Sequence, residues 1–107
     1  MKRPFIDRYY VRRQQADSKR QPVWQAMRVL RDFTTADIAA VCEIDKPDSV
    51  RSYCNFLVRA GFLRRRGRGG WHPSRYTLVR NSGPEPPAMV RNGKSVWDPN
   101  TGTEYPL

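Results

Sequence analysis

The chain has 107 residues, room for one small domain and a tail, and carries 20 lysines and arginines against 10 acids, a net charge of +10. That excess points to a phosphate-bearing partner or an anionic surface, while two cysteines and one histidine are too few for a four-ligand zinc site. No apolar run approaches the roughly 20 residues of a membrane span, and the basic start Met1-Lys2-Arg3-Pro4 lacks the apolar stretch of a secretory signal, so a cytoplasmic protein without a membrane anchor is expected.

Residues 1–21 hold seven basic and two acidic side chains. They read either as a loosely docked leader or as a basic N-terminal arm, whose Phe5, Ile6, Tyr9 and Tyr10 can line one side of a short helix. Pro22 suits the first turn of a helix, and Val23, Ala26, Met27 and Leu30 follow at helical spacing, so a core helix is expected up to Asp32. Thr34-Thr35-Ala36-Asp37 has the pattern of a helix start, with a hydroxyl for an orphan N–H and an acid at the positive end. It predicts a short helix over 35–43, with Ile38, Val41 and Cys42 as its apolar stripe. After Ile44-Asp45-Lys46, Pro47 opens a third helix. Val50, Cys54 and Leu57 stand there at i, i+4 and i+7 and share a buried face, and Gly61 ends it.

Phe62 to Arg66 and Arg75 to Arg80 read as two strands joined by a flexible loop from Gly67 to Ser74. Asn81 to Pro87 has the composition of an extended linker. Beyond it, Lys94-Ser95-Val96-Trp97 and Thr103-Glu104-Tyr105 flank Asp98-Pro99-Asn100-Thr101-Gly102, which is good turn chemistry. An isolated hairpin is marginal in water, so this one is expected to dock on the domain, on a second copy or on another protein. The division expected is therefore an arm (1–21), a central domain (22–80) and a linker with a hairpin tail (81–107). Both cysteines fall at apolar helix positions and read as reduced core residues.

The order helix, short capped helix, turn, helix, strand, basic loop, strand resembles the winged helix-turn-helix superfamily of small bacterial and phage DNA-binding proteins. The residues that carry the resemblance are Thr34-Thr35-Ala36-Asp37-Ile38-Ala39 and the run from Ser49 through Val50, Cys54, Leu57, Gly61, Phe62 and Leu63. It covers Pro22 to Arg80 and implies an α+β fold with a three-helix core and a two-stranded wing. Two departures stand out. Glu43-Ile44-Asp45 occupies a turn that usually carries glycine, and Asp48 puts an acid where phosphates would lie, in a place where it can also favour the helix N-terminus.

In that fold the third helix enters the major groove. The resemblance then implies base contacts from Ser49, Arg51, Ser52 and Asn55, with Arg51 suited to guanine and Asn55 to adenine. Tyr53 is placed with them, flanking the backbone or completing the core. Arg59, Arg64, Arg65, Arg66, Arg68 and Arg75 form the cationic wing for phosphates or the minor groove. Thr34, Thr35 and Lys46 are candidate backbone contacts. Arg66-Gly67-Arg68-Gly69 is similar to an AT-hook core, with Gly69 where a proline would stand, and to the RGG segments of RNA-binding proteins. Phe56, Val58 and Trp97 are candidate partner contacts, for a second copy or another protein. No phosphate loop, metal cluster or nucleophile elbow is present, so neither an enzyme nor a cofactor is expected. The expected function is a duplex-DNA-binding regulator; the competing readings are an interaction adaptor and an RNA-binding protein.

Overall fold

The structure, a computed structural model, describes residues 19–45, 47–67 and 74–107. Helix α1 spans Arg20–Leu30, β1 Asp32–Thr34, α2 Thr35–Val41, α3 Asp48–Ala60, β2 Leu63–Arg66, β3 Arg75–Leu78, β4 Ala88–Val90, β5 Ser95–Asp98 and β6 Thr103–Pro106. It is a small α+β domain whose strands pair antiparallel in two sheets, ordered β1-β3-β2 and β4-β5-β6.

The helices form for local reasons. In α1, Val23, Trp24, Ala26 and Met27 are buried on one side. Pro22 sits in its first turn, where its missing N–H costs nothing, and the helix stops at Leu30, two residues earlier than expected. Thr34 and Asp37 form a reciprocal capping box: the Asp37 N–H donates to the Thr34 hydroxyl at 3.1 Å and the Thr34 N–H to the Asp37 carboxylate at 2.9 Å. That cap starts α2, which ends at Val41 rather than Glu43. In α3, Val50, Tyr53, Cys54, Leu57 and Ala60 face the core. Gly61, at φ 87°, lets the chain reverse, so that the Phe62 N–H donates back to the Leu57 carbonyl at 2.8 Å.

The turn between α2 and α3 takes its left-handed residue from Glu43, at φ 54°. A side chain with a Cβ occupies the place where glycine is customary, at a cost of about 1–2 kcal/mol. Pro47 is the residue before α3 and supplies no side-chain cap.

Two strands are additions to the sequence reading. Asp32-Phe33-Thr34 pairs with β3, with Phe33 opposite Tyr76, and β4 pairs with β5, with Ala88 opposite Trp97. The C-terminal hairpin forms as expected over β5 and β6, and it docks on its own domain. Val96 belongs to the main core, and the Tyr105 ring meets Phe62 edge-on at 5.2 Å.

The stretch 81–87, expected to be a linker, is corrected by its packing. Pro86 and Pro87 are fully buried. The Trp24 indole N–H donates to the Gly83 carbonyl at 2.9 Å, and the Tyr53 hydroxyl to the Pro87 carbonyl at 2.6 Å. Asn100 clasps the same stretch, accepting from the Glu85 N–H at 3.0 Å and donating to the Glu85 carbonyl at 2.7 Å and the Ser82 hydroxyl at 3.1 Å. The buried carboxylate of Asp98 holds Asn100 in turn, through its backbone N–H and its side-chain amide, each at 3.0 Å.

Candidate nucleic-acid interface

The outer face of α3 follows from its inner one. With Val50, Tyr53, Cys54, Leu57 and Ala60 turned inward, Ser49, Arg51, Ser52, Asn55 and Arg59 are left exposed. Asp48 makes no cap bond; its carboxylate accepts from Arg51 at 3.4 Å across one turn. Both side chains are well exposed, so the pair is weak and yields Arg51 readily to a better acceptor. A cleft of about 270 Å³ opens at the N-terminal end of this face, between α1 and α3, lined by Arg20, Val23, Ser49, Val50, Ser52 and Tyr53.

Tyr53, grouped with the exposed face but open to either place, completes the core instead. It is 3% exposed, spends its hydroxyl on Pro87 and carries the Arg20 guanidinium over its ring, 5.0 Å from the centroid. Burial pushes its phenol well above the ordinary range, against a smaller pull from Arg20.

The arginines of the β2–β3 hairpin divide between two faces. Side chains alternate along a strand, and directly paired residues share a face. Phe33, Tyr76 and Arg65 are paired in one row, on the core side. There Phe33 stacks on Tyr76, the Arg65 guanidinium lies 5.6 Å from the Tyr76 ring centroid, and Arg65 donates to the Asn55 side chain on α3. Arg65 thereby joins the outer surface of α3. The other rows, Asp32-Thr77-Arg64 and Thr34-Arg75-Arg66, lie on the opposite face. On that face Asp32 accepts from Arg66 at 2.7 Å, from Arg75 at 2.9 Å and from the Thr77 hydroxyl at 3.3 Å. The hydrogen bond from Arg75, helped by the charges of Arg66 and Arg75 and opposed by partial desolvation, holds the Asp32 carboxyl below its usual range. The wing expected to act as one cluster is therefore two surfaces, one beside α3 and one behind it.

The remaining assignments fall out as follows. Thr34 is buried and its hydroxyl caps α2, so it is not free for a phosphate; Thr35 is half-buried. Lys46 and Arg68 lie outside the described residues, as does the arm through residue 18. Phe56 and Val58 pack against the main core, and Trp97 is half-buried against Ala88 and Val90. All three have partners within the chain. Both cysteines are free thiols; Cys54 is buried, and desolvation pushes its thiol up to about 12, which leaves it inert as a nucleophile. Among the described residues no group of histidine, cysteine or acid side chains is placed to hold a metal ion, and no helix is long and apolar enough to cross a membrane.

Sequence reasoning missed Arg20 and the split of the hairpin arginines. Arg20 carried no signal, standing among seven basic residues of the leader. The split did carry one: the period-two alternation of Arg64, Arg65 and Arg66. Comparisons with protein families, with curated proteins and with solved structures find no match to this chain.

Proposed function

We propose that the protein binds duplex DNA as a winged helix-turn-helix domain, with α3 in the major groove, and acts in the cytoplasm as a sequence-specific regulator. One observation carries the reading. The exposed face of α3 offers Ser49, Arg51, Ser52, Asn55 and Arg59, and it is continuous with the β2–β3 hairpin through the hydrogen bond from Arg65 to Asn55. A polar helix face flanked by arginine, on a chain of net charge +10, suits a groove lined by phosphates and base edges. The order of elements, with β1 inserted between α1 and α2 and closing the sheet beside β3, supports it.

The roles divide by chemistry. Arg51 presents a fork that matches the O6 and N7 of guanine, and leaves Asp48 to do so. Asn55 fixes Arg65 in the apo protein and can exchange that bond for an adenine edge. Arg59 and Arg65 meet phosphate, which sets affinity rather than choice.

The test is selection of bound duplexes from a random pool, followed by titration of the winning site. Arg51→Ala relaxes the preference at one base pair, by about 1–3 kcal/mol of discrimination. Arg65→Ala weakens all sequences alike and lowers the salt slope by roughly 0.9. A pool that yields no enriched site, or an Arg51→Ala variant with unaltered preference, overturns the reading.

A further inference from the structure

We infer that the face of the β1-β3-β2 sheet turned away from α3 is a second phosphate-binding surface, so that one protomer holds two duplex segments at once. The inference rests on the duplex-binding reading above and extends it to a separate part of the molecule.

The register carries the argument. Arg64, Arg66 and Arg75 share the outer face with Asp32, Thr34 and Thr77, whereas Arg65, α3 and the core lie on the other side. Three arginines against one carboxylate leave that face positive. Asp37 is exposed and keeps its charge while accepting from the Thr34 N–H, and the three arginines still outnumber the two acids. Asp32 does not neutralise the face so much as arrange it: by accepting from Arg66 and Arg75 together, it holds two guanidinium groups in place on adjacent strands. Arg64 is exposed and makes no side-chain hydrogen bond or ion pair among the described residues. Pre-ordered and unspent cations side by side are what a run of phosphates requires.

The chemistry of the face also selects its occupant. None of its six side chains is aromatic, so it offers no platform for stacking single-stranded bases. None is a large aliphatic group, so it offers no apolar anchor to a protein partner. Guanidinium groups on adjacent strands suit the sugar-phosphate backbone of a duplex, read without regard to sequence. Because these arginines lie on the side of the sheet opposite Arg65 and α3, we assign the phosphates they take to a second segment.

The experiment uses the full chain, one duplex with the selected site fixed to beads, and a second, fluorescent duplex of unrelated sequence in solution. Binding of the first duplex alone is measured separately by anisotropy. Wild-type protein is expected to bring the fluorescent duplex to the beads. Arg64→Glu is expected to lower that capture by roughly tenfold, the scale of a lost phosphate contact, while affinity for the first duplex changes less than about twofold. Arg64→Lys keeps most of the capture. Circular dichroism confirms that the variants fold. First-duplex binding without capture overturns this inference and leaves the α3 reading standing; absence of first-duplex binding overturns both. Capture that survives Arg64→Glu also overturns it, because the bridging then comes from two associated copies. So does an Arg64→Glu variant that loses both activities equally, which makes the two faces one surface.

Discussion

Replacing Tyr53 by phenylalanine separates the two roles available to this side chain. The hydroxyl donates to the Pro87 carbonyl at 2.6 Å in a buried setting, and the ring is packed in the core between α1 and the stretch leading to β4. Phenylalanine keeps the ring and opens no cavity, but leaves the Pro87 carbonyl buried without its donor. Such an orphaned group costs about 1–3 kcal/mol. For a domain of this size each kcal/mol lowers Tm by about 4–8 °C. Urea denaturation followed by tryptophan fluorescence is expected to show a lower midpoint with an unchanged m-value. The pH dependence supplies a second reading. Burial raises the folded phenol above the ordinary 10.0, so its contribution is intact below that value, where the unfolded chain is protonated as well. It is lost as pH rises further, because the unfolded chain then releases a proton that the folded one retains. The gap between wild type and Tyr53→Phe therefore narrows on the alkaline side. A stability change under about 0.5 kcal/mol, together with a clear fall in duplex affinity, refutes this account and returns Tyr53 to the DNA-binding face.

Two further outcomes follow from local geometry. Glu43→Gly relieves a left-handed backbone at φ 54° and is expected to raise stability by roughly 0.5–1 kcal/mol after the added freedom of the unfolded chain is counted; a loss of stability in urea denaturation counts against it. Asp32 has a folded pKa below the ordinary 3.8, so its stabilising effect is present above that value and disappears as pH falls through the lowered one. In Arg75→Leu, carbon-13 detection of the Asp32 carboxyl should show its midpoint return toward 3.8, and an unchanged midpoint removes Arg75 as the main cause.

The parts of this fold that were legible in advance rest on neighbours a few residues apart. Thr34 and Asp37 announce a cap, Val50, Cys54 and Leu57 a buried stripe, and Gly61 a helix end, because each signal and its partner lie within two turns. What escaped depends on distant pairing. Asp32-Phe33-Thr34 is too short to declare itself and becomes a strand only because Tyr76 lies opposite Phe33. Ala88-Met89-Val90 follows a proline-rich stretch that reads as a spacer, and nothing local reveals that Trp24 and Tyr53 hold that stretch down from 59 and 34 residues away. The candidate site divides in the same way. The exposed positions of α3 followed from its buried ones, while Tyr53, bordering the stripe, could be placed only once Pro87 was seen beside it.

The bonds from Trp24 to Gly83 and from Tyr53 to Pro87 also bear on how the chain is made. On a growing polypeptide, α1 and α3 are complete long before their acceptors are synthesised. Until Gly83 and Pro87 emerge, an indole N–H and a phenol hydroxyl remain hydrated at the surface that later closes, and that surface cannot become dry. Val96 and Tyr105, which belong to or lean on the same core, arrive later still. Folding is therefore expected to be completed in one late step rather than helix by helix as translation proceeds. A nascent chain stalled before residue 83 should be digested by protease at α1 and α3, whereas the released protein resists at both.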